Sequence, residues 1–363
     1  MPPNFYLVSL YYDKSRVTGA NKRFDEIGKC LINSGRWDFL VFVTEGNEPD
    51  WCPRDRVKSV RPYHSKATRL LSWLHLSWML LRTPSGILYS DFQPVPIGVD
   101  WIHTRFQLIH DLRNWTGFGR GGLGRLTQAF QRKQLTSAKA VVTVSEFTAD
   151  DIEEKCGIPR DRILVSYNGV NPTYQPLSDP AGVSASCEIL YIATFESRKN
   201  HLRLVQALEL MEHPCRVTLV GRDLGHRKTL EHYIQNSHKL AHMNIQIIDA
   251  MDENALLRLY QTARLFVSPS LFEGFGMPLI EAAACGVPVA CSDIKVFREI
   301  MGDGAYYFDP ENIEDIATTL ETALKADEPK RKNIERFRWT SITEKLFTEM
   351  TDRALPSPET VSN

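Results

Sequence analysis

Short apolar runs alternate with longer amphipathic stretches along the whole chain. The runs are FYLVSLY, FLVFVT, FQLIH, AVVTVS and ILVSYN in the first half, and EILYIATF, RVTLVG, NIQIID, ARLFVSPS and VPVACSD in the second. Runs of this length that are apolar almost throughout read as strands buried on both faces, as in a parallel sheet. Between them, stretches such as RLVQALELM and ENALLRLYQTA repeat their apolar residues at helical spacing. Strands alternating with helices predict an α/β architecture with parallel sheets.

The alternation breaks once. GVNPTYQPLSDPAGVSAS, residues 169–186, holds three prolines and two glycines among small polar residues, the composition of a linker. Strand-helix units run on both sides, so the pattern predicts two Rossmann-like, doubly wound domains facing a cleft. The boundaries are a first domain over 1–174, a linker over 175–186, a second domain over 187–335 and a last amphipathic helix over 336–355. PSPETVSN, residues 356–363, is expected to be disordered. A length of 363 residues suits two domains. In such folds ligands bind beyond the carboxyl ends of the strands.

Composition narrows the classes of function. Lys and Arg number 43 against 44 Asp and Glu, so the net charge of −1 points to no particular partner. The seven cysteines are scattered and include no C-x-x-C pair, which argues against a disulfide framework or a zinc site. The N-terminus lacks the pattern of a signal peptide, and no run of 18 apolar residues occurs. A cytoplasmic location is expected.

The densest candidate chemistry lies in SPSLFEGFGMPLIEAAACG, residues 268–286. Gly274 and Gly276 are expected to adopt conformations closed to other residues and to let a ligand approach the main chain. Pro278 suits the start of a helix that stops at Gly286. Glu281 is then expected in the first turn and Glu273 in the loop before it. Amides at a helix start attract anions, and a carboxylate there can accept two ribose hydroxyls. Glu273 would meet a second polyhydroxylated group. The spacing fits a ligand with a sugar, a phosphate and a ribose in line. Acidic residues at a helix start also suit its dipole, at ~0.3–1 kcal/mol each. Two glycines around an aromatic, followed by proline, are costly choices in a loop without a ligand.

Arg198 and Lys199 follow the first strand of the second domain, where phosphates bind in such folds. At an effective dielectric of ~20, a cation ~4 Å from a departing diphosphate contributes on the order of 4 kcal/mol. No D-x-D occurs, which fits a site without a metal. His110 ends FQLIH at the carboxyl end of a strand and is expected to point into the cleft. From Arg105 to Lys139, seven cations (Arg105, Arg113, Arg120, Arg125, Arg132, Lys133, Lys139) face one carboxylate, Asp111, a local +6. RLLSWLHLSWMLLR, residues 69–82, is apolar and tryptophan-rich between arginines. Together they suit an anionic membrane surface or a lipid-diphosphate acceptor. An ordinary buried helix is the favoured reading of 69–82, and a solvated face is the alternative for the basic segment. Nucleic acid is not expected, because the rest of the chain is not basic.

SLFEGFGMPLIEAAACGVPVACSD resembles the donor-binding signature of the retaining glycosyltransferases of family GT4, which have the GT-B fold. YIATFESRKNHLRLVQA is similar to that family's strand-loop-helix with a basic pair, and FQLIHDL to its His-Asp site. VVTVSEFTADDI and ILVSYNGVN resemble the closing strands of its first domain. The resemblance implies that the first domain holds the acceptor and the second the nucleotide sugar, with the last helix returning to brace the first. It implies that His110 contacts the donor sugar, and that Gly19 and Ala20 lie in a loop over donor phosphates and acceptor. Ala20 departs from the family's Gly-Gly form there. Glu273, with amides at Phe275, Gly276 and Met277, would grip the donor sugar, Arg198 and Lys199 the diphosphate, and Glu281 the ribose.

The implied reaction is a retaining, metal-independent hexosyl transfer in which the acceptor attacks from the face the diphosphate leaves. It needs no cofactor beyond the nucleotide sugar, UDP-hexose or GDP-mannose. The implied acceptor is a saccharide or lipid-linked saccharide of a surface polysaccharide, and peripheral contact at the inner face of the cell membrane fits that role. A nucleotide-sugar epimerase of the same fold and a non-catalytic nucleotide-sugar-binding protein are the alternatives.

Overall fold

A computed structural model of the chain describes residues 3–355 apart from 17, 62–65, 92–97, 116–124, 179–186, 250 and 327. Most of the linker read over 175–186 and the tail over 356–363 therefore lie outside the described residues. The chain divides into two compact units, Met1–Gly169 with Trp339–Asn363, and Val170–Arg338.

The N-terminal unit runs β1 (Asn4–Ser9), α1 (Gly19–Ser34), β2 (Phe39–Thr44), β3 (Val57–Val60), α2 (Lys66–Leu80), β4 (Gly86–Ser90), β5 (Thr104–Ile109), α3 (Arg125–Ser137), β6 (Ala140–Thr143), α4 (Glu146–Cys156) and β7 (Ile163–Val165). Its seven strands pair in the order β3-β2-β1-β4-β5-β6-β7, all parallel. The C-terminal unit runs β8 (Cys187–Ile192), α5 (His201–Leu208), β9 (Arg216–Val220), α6 (Arg227–Asn236), β10 (Asn244–Ile248), α7 (Glu253–Thr262), β11 (Ala263–Ser268), α8 (Met277–Ala284), β12 (Val289–Ser292), α9 (Lys295–Met301), β13 (Tyr306–Phe308) and α10 (Ile313–Lys325). Its sheet has the order β10-β9-β8-β11-β12-β13, again all parallel. The final helix, α11 (Trp339–Ala354), belongs to the N-terminal unit. There Phe347 packs 4.8 Å from the Phe5 ring and 5.7 Å from Trp37.

Both sheets reverse direction beside their first strand. The chain lays down β1, β2 and β3 outward on one side, then starts again at β4 on the other side of β1. The second sheet repeats this with β8, β9 and β10, then β11. The reversal opens a crevice at the carboxyl ends of β1 and β4, and of β8 and β11, the place where such sheets bind ligands.

Several sequence expectations need correction. Three strands, β3, β4 and β13, were not legible. Residues 170–174 belong to the C-terminal unit, because Val170 N donates to Phe337 O at 2.8 Å and Tyr174 is buried 5.7 Å from the Tyr260 ring. α2 is not an ordinary buried helix. Ser72, Leu76 and Leu80 face the core, while Leu70, Leu71, Leu74 and Trp78 are each about half exposed. Arg105 leaves the basic surface altogether. It is buried, donates to Asp100 at 2.7 and 3.1 Å, and also binds Gln134 O and Ser137 Oγ. Arg120 and the Arg125 side chain lie outside the described residues.

Candidate donor site and family membership

The crevice between β8 and β11 gathers the basic pair and one of the glutamates. After β8 the chain makes a single tight turn, Ser197–Lys199, and leaves it through Asn200 at φ 59°. Asparagine tolerates this left-handed conformation, and its side-chain amide donates to Pro310 O at 2.7 Å. The turn presents Arg198 and Lys199 to the loop after β11. Leu271 N, donating to Arg198 O at 2.8 Å, ties the two loops together.

Glu273 is the centre of the cluster. Arg198 Nη1 donates to its Oε2 at 3.0 Å and to Phe272 O at 3.0 Å. Lys199 Nζ and Ser270 Oγ both donate to its Oε1, the serine at 2.9 Å. The other nitrogen of Arg198, Nη2, pairs with Glu196 at 2.8 Å. Tyr191 OH holds Lys199 O at 2.7 Å. Burial would raise the Glu273 pKa, but the Lys199 ammonium and the Arg198 guanidinium outweigh it and hold it at about 2. Burial pulls the Lys199 pKa below its ordinary value, with Glu273 opposing. Two cations and two carboxylates thus pair in one cluster. A buried charge set of this kind is tolerated only when it is paired and hydrogen-bonded throughout.

The elbow that follows departs from its sequence reading. Only Gly276 is left-handed, at φ 100°, and Gly274 is not. A Cβ at Gly276 would also lie 2.8 Å from the Phe297 ring, so that position demands glycine twice over. Gly276 caps α8 without any side-chain bond to the first amides. Pro278 is the second helical residue, which pushes Glu281 into the second turn rather than the first. Glu281 is buried there, and its Oε2 accepts from Tyr260 OH at 2.8 Å. The side chains of Phe275 and Met277 are core, with Phe275 edge-on to Phe337 at 5.9 Å. Neither side chain therefore presents itself to a ligand.

The remaining predicted residues belong to the N-terminal unit. Gly19 and Ala20 open α1, which Thr18 caps by accepting from Asn21 N at 3.2 Å. The Asn21 amide donates to Asp13 O and Arg16 O at 2.7 and 2.8 Å, fixing the loop ahead. His110 follows β5, half-buried, and its Nε2 has no partner among the described residues. Burial, with Arg23 nearby, lowers its pKa to about 4, so the ring is neutral at pH 7. Sequence reasoning missed Glu196, Ser270, Tyr260, Arg23 and Asp91. Of these, Ser270 stood inside the quoted motif, and a hydroxyl three residues before a loop carboxylate was a readable signal.

Residues 17–174 match the model of Glycosyltransferase Family 4, and residues 185–338 match that of Glycosyl transferases group 1. The O-antigen chain mannosyltransferase B of Escherichia coli is 32% identical over 282 residues, covering 74% of this chain and 72% of that one. The chain belongs to the family 4, group 1 glycosyltransferases. Another relative of this glycosyltransferase is the O-antigen chain mannosyltransferase RfbU of Salmonella typhimurium, 28% identical over 201 residues, 55% of this chain and 54% of that one. The glycosyltransferase also matches the serotype-specific mannosyltransferase WbdA of Escherichia coli at 29% identity, over 52% of its own length but only 24% of the relative's.

Solved GT-B glycosyltransferases share its fold. The sucrose-phosphate synthase of Thermosynechococcus elongatus superposes with a TM-score of 0.77 at 18% identity, over 96% of this chain and 98% of that one. HepE of Anabaena, in complex with UDP and glucose, gives 0.76 at 15% identity, over 96% and 100%. Among the described residues, no helix of this glycosyltransferase is long and apolar enough to cross a membrane.

Proposed function

We propose that this glycosyltransferase moves a hexosyl group, most specifically mannosyl from GDP-mannose, to a saccharide hydroxyl of a surface polysaccharide, with retention and without a metal. The mannosyl reading rests on the two O-antigen chain mannosyltransferases among its relatives. The observation that carries the transfer reading is the knot of Arg198, Lys199 and Glu273 beside a helix start with no side-chain cap. Paired cations neutralise the charge that builds on a departing diphosphate, and the positive end of the α8 dipole adds to them.

In this scheme the bond from the anomeric carbon to the β-phosphate oxygen breaks, and its electrons go to the diphosphate held by Arg198 and Lys199. The acceptor oxygen bonds to the same face of that carbon and gives its proton to a donor phosphate oxygen. Glu273, ionised at every working pH, accepts hydroxyls of the donor sugar. Glu281, oriented by Tyr260, accepts the ribose. His110 supplies a neutral imidazole to the donor sugar.

The test incubates the protein with GDP-mannose, UDP-glucose or UDP-galactose and a panel of octyl mannosides, in buffer with EDTA. The expected result is an α-linked mannoside by NMR, formed from GDP-mannose. A β-linked product contradicts retention, and loss of all activity in EDTA contradicts metal independence. Interconversion of donors without acceptor would identify an epimerase, and binding with neither transfer nor hydrolysis a non-catalytic protein.

The outer face of α2 supports peripheral membrane contact. Leu70, Leu74 and Trp78 lie at helical spacing on it, and the Arg82 guanidinium stacks 4.1 Å over Trp78. Leucine, tryptophan and arginine on one helix face suit an anionic lipid interface. Co-flotation with phosphatidylglycerol vesicles, lost in Leu74→Glu, is the expected result. Equal flotation of both proteins contradicts this contact.

A further inference from the structure

Glu273 has one neutral partner that the scheme above leaves idle. Ser270 lies two residues beyond β11 and is 0% exposed. Its hydroxyl donates to Glu273 Oε1 at 2.9 Å. Behind it stands Tyr191, a buried residue of β8, whose OH lies 3.4 Å from Ser270 Oγ and donates to Lys199 O at 2.7 Å. Each hydroxyl has a single proton to give. That of Tyr191 goes to a carbonyl and that of Ser270 to a carboxylate, so the contact between the two oxygens sets only the spacing. It fixes where Ser270 Oγ stands.

The donors to Glu273 differ in what a ligand can do to them. The side chains of Lys199 and Glu273 keep 14% and 13% of their surface exposed, so a ligand can reach both. On the proposed reading the diphosphate draws Lys199 and Arg198 toward itself and loosens their hold on the carboxylate. Ser270 is closed to solvent, and no ligand competes for its proton. The bond to Oε1 therefore persists while the charged partners turn away. A glutamate side chain has several soft torsions. Without a fixed donor it would lose the geometry that a sugar hydroxyl needs.

We propose that Ser270 is a positioning residue: its buried hydroxyl keeps the Glu273 carboxylate aimed at the donor sugar once Arg198 and Lys199 engage the diphosphate. This deepens the transferase reading and rests on it. Ser270 touches neither sugar nor phosphate and acts through Glu273 alone. Its effect therefore falls on the sugar and spares the nucleotide.

The test compares wild type, Ser270→Ala and Ser270→Thr with GDP-mannose and an octyl mannoside, and titrates each with GDP by calorimetry. In Ser270→Ala, kcat/KM for GDP-mannose is expected to fall about tenfold or more, with the Kd of GDP within about twofold of wild type. Unchanged GDP affinity also shows that the site is folded. Ser270→Thr keeps the hydroxyl and should recover most of the activity. With GDP-deoxymannoses lacking the 3-, 4- or 6-hydroxyl, the gap between wild type and Ser270→Ala should narrow for at least one analogue. Wild-type kcat/KM in Ser270→Ala, or a gap of equal size for every deoxy donor, would overturn the role of Ser270 while leaving the transferase reading intact. Equal losses in Ser270→Ala and Ser270→Thr, or GDP affinity falling in step with activity, would make Ser270 a packing residue and overturn the role as well. Absence of any transfer by wild type would reject the transferase reading on which the role rests.

Discussion

The two crevices have the same topology and opposite electrostatics. At β8 and β11 a glutamate meets an ammonium and a guanidinium, and its pKa falls to about 2. At β1 and β4 an aspartate, Asp91, meets Ser9 and an arginine, Arg23, whose donors are turned away, and its pKa rises to about 7. Both carboxylates are withdrawn from water, so burial pushes both upward. The neighbours alone decide the sign. A knot of compensated charges suits a ligand that brings negative charge and can exchange partners with Glu273. On the proposed reading, the compensated knot is where the donor diphosphate binds.

The most severe way to break this contrast is to remove a cation. Arg198→Ala and Lys199→Ala should each lower turnover by ~10²–10³, measured as steady-state release of nucleotide. Near-normal turnover in either would take that residue out of the scheme. Gly276→Ala attacks the elbow instead. A left-handed backbone and a Cβ 2.8 Å from Phe297 should lower stability by ~1–3 kcal/mol in denaturant melts, and an unchanged midpoint would contradict the described turn.

Acid should separate the units more gently. His110 is held neutral with a folded pKa of about 4, below its unfolded value near 6.5. The folded state therefore binds fewer protons, and stability is lost as pH falls from about 6.5 to about 4. Discounted for the part of the ring that stays exposed, the loss is roughly 2 kcal/mol, and His110→Gln should flatten that limb of the melting curve. Glu273 acts lower. Its pKa is depressed, so its contribution is present above about 4.5 and lost only toward 2. Identical curves for wild type and His110→Gln would show that His110 is not held neutral by the fold.

The C-terminal crevice was more legible than the N-terminal one for physical reasons. Long apolar strands, a basic pair and a carboxylate flanked by glycines all leave local patterns in sequence. β4 leaves none. It has five residues and begins at Gly86, where a Cβ would lie 2.4 Å from Asn4 O. A glycine demanded by a neighbouring strand looks like a loop residue in one dimension. With β4 unread, Asp91 had no strand end to stand on. β3 sets two polar residues between two valines, and β13 has only three residues, so neither carries a periodicity long enough to register. Arg105 was misread for the converse reason: its partners Asp100, Gln134 and Ser137 are brought together only by the fold. The same holds for Tyr260 on Glu281.

Calorimetric titration of GDP tests the donor site most directly, because two variants should move in opposite directions. Lys199→Ala removes a cation and should weaken GDP binding by about tenfold or more. Glu273→Gln removes the carboxylate that occupies both cations and should tighten it, even as turnover falls. Equal affinity in wild type and both variants, or weakening in both, would contradict a site in which the diphosphate and Glu273 share Arg198 and Lys199.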